Sequence, residues 1–223
     1  MDWLSYLPPL MLGARVTVEL ALYSTVLGAL FSFLFGIGRL SDSRACRWGS
    51  IAMIEVFRGT SLLVQLFWLF FALPMLGKMM GVDLRLPPVV AGTLALSLNI
   101  GAYGAEVVRG AIQAVPRNQH EAAKALDFTP RQTLWRICIP QALPEMMPSF
   151  CNLAVQNLKD TALVSLIGLG DLAFQAERVR NFTQDSTSVY TLLLLMYFGM
   201  ALVLTGLMRL LETRLGRWRA RGV

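Results

Sequence analysis

Residues 118–144 read NQHEAAKALDFTPRQTLWRICIPQALP, and this stretch decides how the chain is organised. It joins two apolar runs, yet its composition is not that of a slack tether. Glu121-Ala122-Ala123-Lys124-Ala125-Leu126 has high helix propensity. Asn118 precedes Glu121 by three residues, the spacing of a capping pair. Asp127-Phe128 then breaks the helix. Thr129-Pro130-Arg131-Gln132 restarts one: threonine caps, proline takes the first position and glutamine the third. Pro140 is expected to end it, because the residue before a proline is pushed out of the helical region. The stretch therefore predicts a helix-turn-helix over about residues 115–140, lying at a membrane surface. Exposed Glu121, Lys124, Arg131 and Gln132 suit a groove on a partner protein as well as lipid headgroups, and the residues alone leave both open.

The apolar runs on either side set the fold class. A membrane helix needs about 20 mostly apolar residues to cross about 30 Å of hydrocarbon. Residues 16–38, 51–76, 87–108 and 189–211 satisfy this, and residues 146–169 are assigned as a further span despite Asn152, Gln156, Asn157, Lys159 and Asp160. A polar stripe stays in a membrane when it faces protein or water rather than lipid. The expectation is an all-α membrane protein with five spans and one domain over residues 1–223. Composition agrees: 55% of the residues are hydrophobic, 15% are charged, and the mean hydropathy is +0.55. Soluble domains carry about 25% charged residues.

Arginine placement orients the spans. Arg39, Arg44 and Arg47, then Arg109, Arg117, Lys124, Arg131 and Arg136, then Arg209, Arg214, Arg217, Arg219 and Arg221 fall on one side. The other side holds Arg15, Lys78, Arg85, Arg178 and Arg180. The positive-inside rule puts the N-terminus outside and the C-terminus in the cytoplasm. The net charge of +6 is thereby a membrane feature and not a nucleic-acid footprint. Trp3, Tyr6 and Trp218 suit the interfacial belt, and the acidic start Met1-Asp2-Trp3 is not that of a cleaved signal peptide. Three cysteines and one histidine make no paired metal or redox motif, and neither a metal nor a cofactor is expected on this chain. The same scarcity of catalytic groups argues against a membrane enzyme.

Charge inside the membrane is expensive and marks a path or a pairing. Glu55 and Arg58 lie three apart on one helical face. With Asn152, Gln156, Asn157, Lys159 and Asp160 they form the candidate substrate path: a zwitterion needs an anion for its nitrogen and a cation for its carboxylate. Two other roles stay open on the residues alone, namely ion pairing between helices (Glu55 with Arg58, or Arg58 with Asp160) and gating.

Glu121-Ala122-Ala123, followed by Ile139-Pro140-Gln141-Ala142-Leu143-Pro144, resembles the EAA loop of permeases in binding-protein-dependent ABC importers. Phe57-Arg58-Gly59-Thr60-Ser61-Leu62-Leu63-Val64-Gln65, Ala102-Tyr103-Gly104-Ala105-Glu106-Val107-Val108-Arg109-Gly110 and Leu158-Lys159-Asp160-Thr161-Ala162-Leu163-Val164-Ser165 are similar to the polar amino acid permeases of that group, the histidine, glutamine and arginine uptake family. The stretches Arg58-Gly59-Thr60-Ser61 and Gln65-Leu66-Phe67-Trp68-Leu69-Phe70-Phe71 look most like the ectoine and hydroxyectoine branch. Asp127 and Asn118 stand where the pattern has glycine, and Ser61 where it has proline. The resemblance implies a type I ABC importer permease of the bacterial inner membrane, moving a polar amino acid or an ectoine-type solute. It also implies partners: a dimer of ATPase subunits, a second permease chain (the same or related), and a periplasmic or extracellular solute-binding protein. This chain has no phosphate-binding GxxxxGK[ST] loop, so ATP and magnesium would belong to the ATPase. Glu121, Ala122, Ala123, Lys124, Asp127, Arg131 and Gln132 are the implied ATPase-coupling residues. The rival is an ion-coupled secondary transporter or channel, for which a structured loop has no evident use.

Overall fold

The computed structural model describes the backbone of residues 3–220 and the side chains of residues 6–214. The side chains of Trp3, Arg217, Trp218 and Arg219, and all of Arg221, lie outside the described residues. Every regular element among the described residues is helical. Helix α1 (Trp3–Arg39) runs for 37 residues, so the expected span at 16–38 is only its inner part. Pro8 and Pro9 lie within it; they remove two N–H donors but keep helical φ.

The expected second span, 51–76, is broken. Helix α2 (Arg44–Gly59) ends at Thr60, which is extended at φ −117° and ψ 155°. Ser61 is extended too, and α3 (Leu62–Phe67) begins after it. A π-helical turn, Trp68–Ala72, leads into α4 (Leu73–Met79). Then follow α5 (Pro88–Gln113), α6 (Arg117–Ala125) and α7 (Pro130–Thr133). A second π-helical turn, Leu134–Cys138, opens into α8 (Ile139–Asp160). A 3-10 segment, Thr161–Ile167, and helices α9 (Leu172–Thr183) and α10 (Ser186–Ala220) complete the chain.

Pro140 therefore does not end a short helix; α7, the π turn and α8 make one continuous rod. The reason is visible at both π turns. The Leu73 N–H bonds to the Trp68 carbonyl, and the Ile139 N–H to the Leu134 carbonyl, five residues back in each case. The next residue is Pro74 or Pro140. A proline ring collides with the carbonyl four residues before it, and a widened turn ahead of it relieves that clash.

Among the described residues, four helices are long and apolar enough to cross a membrane: Tyr6–Arg39, Leu62–Met79, Pro88–Gln113 and Ser186–Arg214. The remaining expected span falls on α8 and the 3-10 segment, and its polar stripe keeps it out of that set. Its path is traced by its neighbours along α1 and α5. Ala142 and Met146 pack with Val108, Ile112 and Ile37 at one end. Asn157 bonds to Ser24 midway, and Val164 and Ile167 pack with Leu20, Ala91 and Ala95 further on.

The centre is the α1–α5 pair, held close by small residues. A β-carbon on Gly36 would meet the Val108 side chain at 2.8 Å and the Ala105 carbonyl at 2.9 Å, and one on Gly101 would meet Phe31 at 2.7 Å. Close approach of backbones through glycine and alanine is how helices associate where lipid offers no hydrophobic drive. Glu106 on α5 ties the pair at the end near α6, pairing with Arg39 of α1 and with Arg109 at 2.8 Å.

Candidate functional site

At the α6 end the turn forms as its residues require. Helix α6 starts at Arg117 with Pro116 before it and no side-chain cap, so Asn118 lies inside the helix and does not cap it. Asp127 takes the left-handed conformation at φ 57°, one of the few non-glycine types that tolerates it. The Phe128 N–H bonds to the Ala123 carbonyl at 3.0 Å across this turn, the closure of a Schellman-type helix end. Thr129 and Gln132 form a reciprocal capping box, with the Gln132 side chain accepting the Thr129 N–H at 2.9 Å. Glu121, Ala122, Lys124, Asp127 and Arg131 are exposed, and Gln132 is half-buried. Ala123 is fully buried; it seats α6 on the bundle and does not face outward. Two apolar side chains that the sequence reading passed over join this surface, Leu126 (67% exposed) and Trp135 (53%).

A second site lies within the bundle. A cavity of about 380 Å³ opens beside the break between α2 and α3. Thr60, Ser61 and Leu62 form one wall, Asn99 and Tyr103 of α5 another, and Leu153, Gln156, Asn157 and Asp160 of α8 the third. The break is held open by amides. Gln65, 8% exposed, donates to the Phe57 carbonyl at 2.8 Å and to the Thr60 hydroxyl at 2.9 Å. Asn99 donates to the same Phe57 carbonyl at 3.3 Å. These bonds satisfy a carbonyl that the interrupted helix leaves without its own partner, as backbone in lipid requires.

The cavity unites Gln156, Asn157 and Asp160 but not the rest of the expected path. Glu55, Asn152 and Lys159 are exposed and do not line it. Neither of the two ion pairs left open for Arg58 forms among the described residues; its guanidinium lies 5.5 Å from the centre of the Tyr103 ring instead. A cation over an aromatic face is a stable arrangement in a partly desolvated place. Asn157 serves the scaffold, donating to Ser24 at 2.7 Å and Thr25 at 2.9 Å on α1. Asp160 accepts from Gln156 at 3.0 Å, and no lysine or arginine lines the cavity with it. Gln65, Asn99 and Tyr103 were missed by the sequence reading, although each is a polar group in an apolar run, the signal that selected Asn152 and Gln156.

The 3-10 segment leaves the cavity directly after Asp160 and ends at Gly168, left-handed at φ 81°. Beyond it, outside the spans, Asp171 is fully buried and caps α9, accepting from Phe174 N–H at 3.0 Å and Ala173 N–H at 3.3 Å. Burial pushes its carboxyl up from 3.8 to about 6, against the pull of those two amides. Thr17 of α1 accepts the neighbouring Leu172 N–H at 3.0 Å.

The family of binding-protein-dependent transport system inner membrane components matches residues 25–217. The probable amino-acid ABC transporter permease protein y4tF of Sinorhizobium fredii (strain NBRC 101917 / NGR234) is 66% identical over 98% of this chain and 92% of its own length. The glutamine transport system permease protein GlnP of Escherichia coli (strain K12) is 30% identical over 96% of this chain and 97% of its own. A chain from the crystal structure of an amino acid ABC transporter with histidines superposes with a TM-score of 0.85 at 33% identity, covering 96% of this chain and 99% of that one.

Proposed function

The chain belongs to the family of binding-protein-dependent transport system inner membrane components, and from this we propose that it is the permease subunit of an importer for a polar amino acid or an ectoine-type zwitterion. Its architecture is that of type I ABC importer permeases, which are not enzymes. In this reading ATP is hydrolysed on a separate pair of ATPase subunits beneath the Glu121–Arg131 surface. A second permease chain completes the path through the inner membrane, and a solute-binding protein delivers cargo from outside. The arginine distribution supports α6 in the cytoplasm and the N-terminus outside.

The observation that carries the reading is the cavity at the α2–α3 break. Its volume of about 380 Å³ suits a small solute. Asp160 supplies the anion for the solute's nitrogen, with Gln156, Asn99, Thr60 and Ser61 as polar partners. Arg58, held on Tyr103, supplies the cation for its carboxylate by leaving that ring. Glu55, Asn152 and Lys159, exposed on this chain alone, suit contact with the second permease chain, since charge facing lipid is costly. Closure of the ATPase pair on ATP moves α6, and the continuous α7–α8 rod carries that motion to Gln156 and Asp160. The coupling is between two sites and must act in both directions.

Reconstituted with its ATPase and binding protein, the complex takes up solute only with ATP. Glu121→Lys is expected to abolish both uptake and stimulated hydrolysis while the permease remains folded. Normal uptake in that variant removes the docking surface from α6. Uptake driven by an ion gradient without ATP would favour an ion-coupled transporter or channel.

A further inference from the structure

We propose that Gln65 is a positioning residue for transport: its amide is the pivot on which the α2–α3 break changes shape, and Asn99 ties that pivot to the solute. The inference rests on the permease reading above and deepens it. Gln65 does not line the cavity, so it acts on the solute only through its neighbours.

The amide of Gln65 faces more acceptors than it has hydrogens. A glutamine NH2 group carries two. Three oxygens stand around it: the Phe57 carbonyl at 2.8 Å, the Thr60 hydroxyl at 2.9 Å and the Thr60 carbonyl at 3.2 Å. Phe57 lies in the last turn of α2 and Thr60 just beyond it, whereas Gln65 belongs to α3. One amide therefore bridges the two half-helices. A small rotation exchanges one of these acceptors for another and leaves no hydrogen of the amide unused. The Phe57 carbonyl does not lose its only donor in that exchange, because Asn99 donates to it at 3.3 Å. The Thr60 hydroxyl is anchored as well, donating to the Val56 carbonyl at 2.7 Å. A buried polar group stripped of its partner is the costly case, and this surplus of partners lets the break move without creating one. A fixed break would need only one donor for each freed carbonyl.

Asn99 is the link to the solute. It lines the cavity, and its amide also donates to the Gln65 side-chain oxygen at 3.4 Å. That bond turns the Gln65 oxygen toward α5 and its NH2 toward the break. Both Asn99 bonds are longer than an ordinary N–H···O bond, while those from Gln65 to Phe57 and to the Thr60 hydroxyl are of ordinary length. A solute carboxylate is a stronger acceptor than a carbonyl or an amide oxygen, so it draws the Asn99 hydrogens first. Gln65 then loses the partner that orients it and is released to shift between Phe57 and Thr60. Occupancy of the cavity is passed in this way to the angle between α2 and α3.

The test uses the complete complex in proteoliposomes with its solute-binding protein. Radiolabelled polar amino acids and ectoine are offered in turn, and ATP hydrolysed per solute imported is measured. Gln65→Met, which has similar length but no amide, and Gln65→Glu, which when ionised accepts but cannot donate, are each expected to raise that ratio about fivefold or more, the scale of one lost hydrogen bond. A glutamine that served folding alone would change the amount of working complex, lowering uptake and stimulated hydrolysis together and leaving the ratio unaltered. Asn99→Ala should raise the ratio too, and Gln65→Met combined with Asn99→Ala should be no worse than the worse single variant, since both cut one link. A wild-type ratio in the Gln65 variants, additive effects in the double variant, or failure of both Gln65 variants to assemble would overturn the pivot and leave the permease reading standing. A wild-type complex that imports none of these solutes with ATP, or imports one without it, would sink both.

Discussion

Buried polar side chains divide into those that hold the scaffold and those that face the path, and single substitutions separate the two. Asp171 belongs to the first class. Its carboxyl is raised to about 6 by burial, so the folded state holds the proton more tightly than the unfolded chain does. Stability then falls as pH rises from about 4 to about 6 and stays low above that window. Asp171→Asn keeps a good cap and removes the ionisation. It should raise the melting temperature in detergent at pH 7.5, with the gain shrinking as the pH falls through 6 towards 4; a lower melting temperature at pH 7.5 would contradict this. Asn157→Leu deprives Ser24 and Thr25 of their partner and should destabilise by about 1–3 kcal/mol. Gln156→Leu, on an exposed side chain of the cavity wall, should leave the melting temperature unchanged and lower uptake. Sequence alone grouped Asn157 with Gln156, because a polar residue in a span shows that it avoids lipid but not which neighbour it meets.

Elements behave as their local chemistry dictates, with informative departures. The turn after α6 was legible: Asp127 tolerates the left-handed region, and the Thr129–Gln132 box is written in the residue order. Asp127→Gly should therefore preserve coupling, while Asp127→Val, a β-branched residue in that conformation, should cost roughly 1–2 kcal/mol and weaken stimulated ATP hydrolysis. The break at Thr60–Ser61 was not legible, because the run from Ile51 to Leu76 is apolar enough to read as one helix. Only the tertiary amides of Gln65 and Asn99 make the interruption affordable. The continuation through Pro140 was also hidden, since a π turn is set by packing and leaves no periodicity of its own. Between α1 and α5, Gly101→Leu would drive a side chain into Phe31, 2.7 Å from even a β-carbon. Its expected result is loss of assembled complex on gel filtration, whereas Gly110→Ala, where a β-carbon meets nothing within 4 Å, should assemble normally.

At the scale of the whole molecule the chain is a column with three stations. A folded cap stands at one end, a cavity beside a broken helix lies midway, and a short helix with exposed charge stands at the other. Length and composition made the membrane class readable in the sequence, and the residue order of 118–144 made the short helix and turn at one end readable. The middle station was hidden in the sequence, because Thr60, Asn99 and Asp160 are far apart in the chain and meet only when α3, α5 and α8 pack. Transport in this reading depends on that cavity being the solute's path. The direct measurement is ATP-driven solute uptake into proteoliposomes by the complete complex carrying Asp160→Asn, with ATP hydrolysis followed in the same sample. Uptake should fall at least tenfold while hydrolysis stimulated by the binding protein persists, a loss of about 1.4 kcal/mol or more in the transport step alone. Uptake at the wild-type rate would show that the solute crosses without meeting this carboxylate, and the cavity would lose its role.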